Sequence, residues 1–343
     1  MATAAFVGVN IGGSSTGVAF GPATGSGVLS MRWASGLMAV FVLLGGATVG
    51  TNVVHTLGEG FVPSEYFTPA ASIAVLLFIG CGILLGNVLR VSVSTSETAV
   101  LGVVGMGAAL GVLNWETVGT VVMWWFISPI LAFWVCGFIG RYLYDDLVAV
   151  LDTEFGELGG GLRFLVIAIG CYMAFSAGAS NVANAVAPLV GSGQIGMTGG
   201  VALGGLEIGV GAFVLGPRTM ETVGEEITDL TLEASLIVEI VAATIIVSLS
   251  YAGIPASLAI TLTSCVIGLG WGRASRRIPL WALATSEEFS DKVRPEWVED
   301  QLELYDPKTT KRILVTWIAS PTLAGVAAYG VFLLLRQFNL IVP

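Results

Sequence analysis

Ten stretches of this chain are long and apolar: roughly residues 1–24, 29–50, 67–89, 99–113, 117–144, 161–190, 199–216, 231–251, 257–273 and 313–335. About 20 apolar residues in helical form cross the hydrocarbon core of a bilayer. Inside that core every backbone N–H and C=O needs a partner within the protein, which an α-helix supplies from its own segment. The expected fold class is therefore all-α, a polytopic integral membrane protein of about ten apolar runs. Composition agrees, because 55% of the 343 residues are hydrophobic and only 11% are charged. Soluble domains carry about 25% charged residues, which argues against a water-soluble enzyme. The apolar content also excludes a disordered chain.

Charge is confined almost entirely to the connections. The formal net charge is -10, from 24 Asp and Glu against 14 Lys and Arg, and an acidic loop surface argues against nucleic acid as a partner. Cys81, Cys136, Cys171 and Cys265 all lie inside apolar runs without metal-type spacing and are read as buried small hydrophobes. The single His55 has no Cys or His neighbour in the sequence, so no metal site is expected. There is no Ser-His-Asp set, Walker loop or paired His, and the chain is read as a non-enzyme without a cofactor. The N-terminal MATAAFVGVN lacks a basic region and is not read as a cleaved signal.

Positive charge gives an orientation, since Lys and Arg collect on the cytoplasmic side. Arg273, Arg276, Arg277, Lys292, Arg294, Lys308, Lys311 and Arg312 flank or occupy the polar segment 274–312, which is read as a cytoplasmic loop. Alternating sides from there puts Arg32, Arg90, Arg141, Arg163 and Arg218 on the same side and only Arg336 on the other. Both termini are then expected outside a cell membrane.

The chain also repeats itself. Residues 12–62 and 178–228 align without gaps at an offset of 166, with fourteen of 51 positions identical, including the GSG blocks at 25–27 and 191–193 and Pro22 with Pro188 before them. A second, weaker match at an offset of 163 pairs 92–98 with 255–261, including Ser94 with Ser257 and Thr98 with Thr261. The chain divides into a first repeat, 1–150, and a second, 151–343. Five runs per repeat is an odd number, so the second half enters the membrane inverted. Inverted repeats are the plan of secondary transporters, whose site lies near the midplane between the halves.

Two stretches set glycines and small polar residues in the middle of apolar runs: FVGVNIGGSSTGVAFGPATGSG (6–27) and AFSAGASNVANAVAPLVGSG (174–193). Helices broken at Gly12-Gly13 and at Gly178 would each point an N-terminal half-helix end inward, which is an anion site by virtue of its free N–H groups and dipole. Ser14, Ser15, Ser180, Asn181 and Asn184 would add neutral donors. Ser94, Thr95, Ser96 and Thr98 cluster just after the third run, and Ser257 follows Pro255 just before the ninth, where Pro at a first helical turn with Ser nearby suits a helix start inside the protein. The anion-shell candidates are Ser14, Ser15, Ser94, Thr95, Ser180, Asn181, Asn184 and Ser257. Close packing of small residues between helices and hydroxyl bonds to a helix's own backbone are the competing explanations. Glu97, Glu207 and Glu239 lie in or beside apolar runs, where carboxylates mark ion or proton pathways. Asn10, Glu97 and Glu207 are the coupling-ion candidates. Trp124, Trp125, Trp134 and Trp317 are read as packing or interface anchors.

These motifs resemble the inorganic phosphate transporter (PiT) family, Na⁺- or H⁺-coupled anion symporters with inverted repeats. The family signature reads approximately GANDVANA in each half. GASNVANA (178–185) matches it closely and NIGGSSTGVAFGPATGSG (10–27) more loosely, while VSTSET (93–98) and IPASLAIT (254–261) resemble the family's VSTTHS-like stretch. The resemblance implies a secondary transporter whose partners are sulfate or phosphate, a coupling cation (Na⁺ or H⁺) and the lipid bilayer; a homo-oligomer is left open. One departure bears on the substrate. The family's Asn-Asp pair is Ser14-Ser15 in one half and Ser180-Asn181 in the other. Phosphate near neutral pH keeps an O–H that can donate to a carboxylate, and sulfate has none. A buried Asp would repel sulfate, whereas Ser and Asn offer it donors. Sulfate is accordingly favoured over phosphate, with an anion channel as the rival outside this class.

Overall fold

The computed structural model describes residues 1–89, 93–155, 160–217, 231–276 and 307–338. Every apolar run becomes helix, and among the described residues there is no strand. The helices are α1 (Ala2–Gly25), α2 (Met31–Thr48), α3 (Gly50–His55), α4 (Pro69–Leu89), α5 (Thr95–Leu110), α6 (Trp115–Phe138), α7 (Tyr144–Phe155), α8 (Gly160–Gly191), α9 (Met197–Val214), α10 (Leu232–Tyr251), α11 (Leu258–Ser275) and α12 (Pro307–Gln337). Among the described residues, seven spans are long and apolar enough to cross a membrane: α2, α4, α6 continued to Leu151, α8, α9, α10 and the Leu314–Gln337 part of α12. The ten runs therefore do not amount to ten such spans. At 16 residues, α5 is about 24 Å long, less than the roughly 30 Å hydrocarbon core. The central helix α1 is poor in large apolar residues because protein surrounds it: from Val7 to Ala23 every residue but Val9 is buried. A helix that lipid never touches needs no apolar outer face.

The expected breaks are absent. Both α1 and α8 run continuously through Gly12-Gly13 and Gly178. The glycines instead let helix backbones touch. A Cβ on Gly12 would overlap the Ile208 carbonyl of α9, and one on Gly178 would overlap the Val42 carbonyl of α2. Reciprocally, Gly45 of α2 meets the Phe175 carbonyl and Gly211 of α9 meets the Val9 carbonyl. Each of these four contacts maps onto another at the 166-residue offset, so α1 packs on α9 as α8 packs on α2. The GSG blocks are turns. Gly27 (φ +70°) and Gly193 (φ +68°) take the left-handed conformation just past α1 and α8, which a residue without Cβ adopts freely.

Cys136, Cys171 and Cys265 are buried, but Cys81 is exposed on α4. An apolar run has a lipid side as well as a protein side, so membership in the run does not imply burial. Arg336, the basic residue on the unexpected side, donates to the Ala109 carbonyl (3.0 Å) at the C-terminal end of α5, where carbonyls lack helical partners. The polar loop lies outside the described residues over 277–306, as do Arg90 and Arg218.

Candidate functional site

Two helices begin inside the protein. Ser94 caps α5, its Oγ accepting from the Glu97 N–H (3.4 Å), and Ser257 caps α11, accepting from the Ile260 N–H (3.3 Å). Both caps are buried, at 0% and 7% exposure. Glu97 stands three residues after its cap, the capping-box spacing. Pro255 lies before the cap in the extended segment 254–257 and not in the first helical turn.

The first N–H groups of a helix have no partner within it. Thr95, Leu258 and Ala259, at the starts of α5 and α11, line one cavity of about 20 Å³. Space of that size holds about one water. The rest of its lining comes from Ser14, Ser15 and Val18 of α1, Asn181 of α8, and Val93 and Ser257. All four motif stretches thus meet at one point, and no Asp, Glu, Lys or Arg lines the cavity among the described residues.

A polar network stands around it. Thr95 Oγ1 donates to Asn181 Oδ1 (2.9 Å), and Asn181 Nδ2 donates to Ser15 Oγ (3.3 Å). Ser180 Oγ donates to the Ala256 carbonyl (2.8 Å), which also accepts from Ser96 Oγ (3.1 Å). The Ser96 and Ser180 hydroxyls lie 3.0 Å apart. Asn184 Nδ2 donates to Asn181 Oδ1 (3.2 Å) and Ser96 Oγ (3.4 Å). Because Ser15 and Ser257 accept these bonds through oxygen, the hydrogen of each hydroxyl stays available.

Of the eight anion-shell candidates, Ser14, Ser15, Thr95, Asn181 and Ser257 line the cavity, whereas Ser94, Ser180 and Asn184 stand behind them. The Ser14 hydroxyl bonds its own helix at the Ile11 carbonyl (3.1 Å). Ser96, outside that set of eight, links α5, α8 and the 254–257 segment. Its place in the STSET cluster was visible, but its repeat counterpart is Ala259, so the repeat gave no reason to single it out.

The coupling-ion candidates sit elsewhere. Asn10 Oδ1 accepts from Asn87 Nδ2 (2.8 Å). Half-buried Glu97 belongs to the first turn of α5. Glu207 of α9 is 7% exposed and faces Gly8 of α1, and neither of its carboxylate oxygens has a hydrogen-bond partner among the described residues. Glu239 is buried on α10. Trp134 is exposed, as an interface anchor would be, but Trp125 does more, donating from Nε1 to the Pro255 carbonyl (2.9 Å).

The sulfate permease CysP of Bacillus subtilis is 31% identical over 269 residues, covering 78% of this chain and 75% of that protein. A candidate phosphate permease of Pyrococcus furiosus is 26% identical over 351 residues, covering 78% of this chain and 85% of its own. A solved structure titled as the sodium-dependent phosphate transporter superposes with a TM-score of 0.70 at 21% identity, covering 98% of this chain and 97% of that one. The sequence profile described as the phosphate transporter family matches residues 11–151 and again 152–302. This chain is a multi-pass membrane protein that belongs to the phosphate transporter family.

Proposed function

We propose that the protein is a secondary active transporter of a tetrahedral inorganic oxyanion, with sulfate favoured, working by cation-coupled alternating access between two inverted halves, 1–150 and 151–343. The observation that carries this reading is the cavity where two interior helix N-termini meet Ser and Asn side chains with no lining carboxylate among the described residues. Helix N-termini favour anions, and sulfate, which has no proton to give, is best served by donors alone. Coupling is needed because each negative charge entering an inside-negative cell climbs roughly 2.3 kcal/mol per 100 mV. Asn10, Glu97 and Glu207 remain the residues proposed to serve the coupling cation, Na⁺ or H⁺; the two unpartnered oxygens of Glu207 support its place among them. The exchange of α1–α9 for α2–α8 contacts at the repeat offset supports a two-fold relation between the halves.

Phosphate is the second reading, supported by relatives named as phosphate permeases. Competition decides between them. Uptake of labelled sulfate into proteoliposomes should be blocked by unlabelled sulfate at lower concentration than by phosphate, and planar nitrate should not compete. Stronger inhibition by phosphate would reverse the assignment, and equal inhibition by nitrate would contradict a tetrahedral site.

A further inference from the structure

The last long helix of each half carries a repeat of its own. Trp125, Ser128, Pro129, Leu131 and Ala132 of α6 recur in the same spacing as Trp317, Ser320, Pro321, Leu323 and Ala324 of α12, an offset of 192. Packing follows the same correspondence. A Cβ on Gly105 of α5 would overlap the Gly325 carbonyl of α12, and one on Gly268 of α11 would overlap the Phe133 carbonyl of α6. Gly105 and Gly268 are counterparts at the 163 offset, and Phe133 and Gly325 at the 192 offset. The closing helix of each half thus lies against an interior-starting helix of the other half.

Both closing helices also reach the segments that start those helices. From α6, Trp125 Nε1 donates to the Pro255 carbonyl (2.9 Å). The next carbonyl, Ala256, accepts from Ser96 and Ser180, and the next residue is the cap Ser257. An extended segment has no helical partners for these carbonyls, so side chains satisfy them. From α12, Ser320 Oγ donates to the Gly82 carbonyl (2.6 Å) and lies 3.1 Å from Thr98 Oγ1. Thr98 Oγ1 donates its one hydrogen to the carbonyl of the cap Ser94 (2.7 Å), so the two hydroxyls meet as a contact between α12 and the first turn of α5. Neither Trp125 nor Ser320 lines the cavity; each contacts a residue close to its lining in the chain.

We propose that Trp125 and Ser320 are positioning residues for the anion site, fixing the starts of α11 and α5 so that the two N-termini converge on one ligand. This rests on the anion-site reading above. A site held to within a fraction of an ångström needs such a supporting layer.

The test is anion binding by the purified full chain, read as thermal stabilisation during titration with sodium sulfate and, separately, sodium phosphate. Trp125→Phe removes one N–H and keeps an aromatic ring; Ser320→Ala removes the hydroxyl that donates to Gly82 and touches Thr98, and Thr98→Val removes the hydroxyl that donates to the Ser94 carbonyl. Loss of one such bond should raise the half-saturating anion concentration roughly three- to tenfold. Trp124→Phe, on the neighbouring tryptophan, should stay within about twofold of wild type. Wild-type half-saturation in Trp125→Phe and Ser320→Ala, whatever their melting temperatures, would overturn the proposal, as would variants that fail to fold, since the residues would then be structural. A wild-type chain stabilised by neither anion would instead overturn the site reading, and this inference with it.

Discussion

Asn181 is where the chemistry of the cavity concentrates. Its Oδ1 accepts from Thr95 and Asn184 and its Nδ2 donates to Ser15, so the amide orientation follows from its partners. Replacing it by Asp restores a carboxylate at the position where the family signature carries one. Sulfate has no hydrogen to offer that charge, and phosphate has one. An unpaired buried acceptor, or a charge-assisted bond gained, is worth roughly 1.5–3 kcal/mol, and each 1.4 kcal/mol is about tenfold. Asn181→Asp should therefore lower the sulfate-to-phosphate preference by about one to two orders of magnitude. Ser15→Asp, its repeat counterpart, should shift the preference in the same direction. Competition of both anions against labelled substrate measures this, and an unchanged ratio with transport intact would mean that these residues do not face the anion. That the motif stretches come together was legible in the sequence because the repeat marked both motifs, and five of their candidate residues line the cavity. Which of them would do so was not legible, since Ser180 and Ser96 turn to a backbone carbonyl, Ala256, that no side-chain pattern reveals.

At the scale of elements, the same glycines were read correctly as unusual and wrongly as breaks. Glycine in a helix interior is unfavourable by about 1 kcal/mol relative to Ala, a penalty that alone suggests an interruption. The contacts of Gly12, Gly45, Gly178 and Gly211 with carbonyls of facing helices supply the other explanation, and only the three-dimensional packing reveals it. Gly178→Ala should lower the melting temperature and folded yield, because overpacking of this kind costs typically 1–3 kcal/mol. Gly119→Ala on α6, where an added Cβ meets nothing within 4 Å, should be neutral or slightly stabilising. Equal melting temperatures for the two variants would refute the close-approach account. An interior helix start was legible near Ser257 from Pro255, although the proline precedes the helix and it is the hydroxyls of Ser94 and Ser257 that cap the two starts.

For the whole molecule, hydropathy identified the helices, while seven spans among the described residues are long and apolar enough to cross a membrane; α1, enclosed by protein, is not sorted by contact with lipid. The predicted orientation places 274–312 in the cytoplasm. A cysteine introduced by Ser290→Cys, compared in a background where exposed Cys81 is replaced, should resist an impermeant thiol reagent applied outside intact cells, and ready labelling would reverse the orientation. The central claim, coupled transport of an oxyanion through a site between two halves, is tested most directly by concentrative uptake. Proteoliposomes containing the purified chain should accumulate labelled sulfate above the external concentration when a Na⁺ or H⁺ gradient is imposed, and should lose that accumulation when the gradient is collapsed. Equilibration of sulfate to the level set by its own gradient and the membrane potential, indifferent to both cations, would identify a channel and contradict the account.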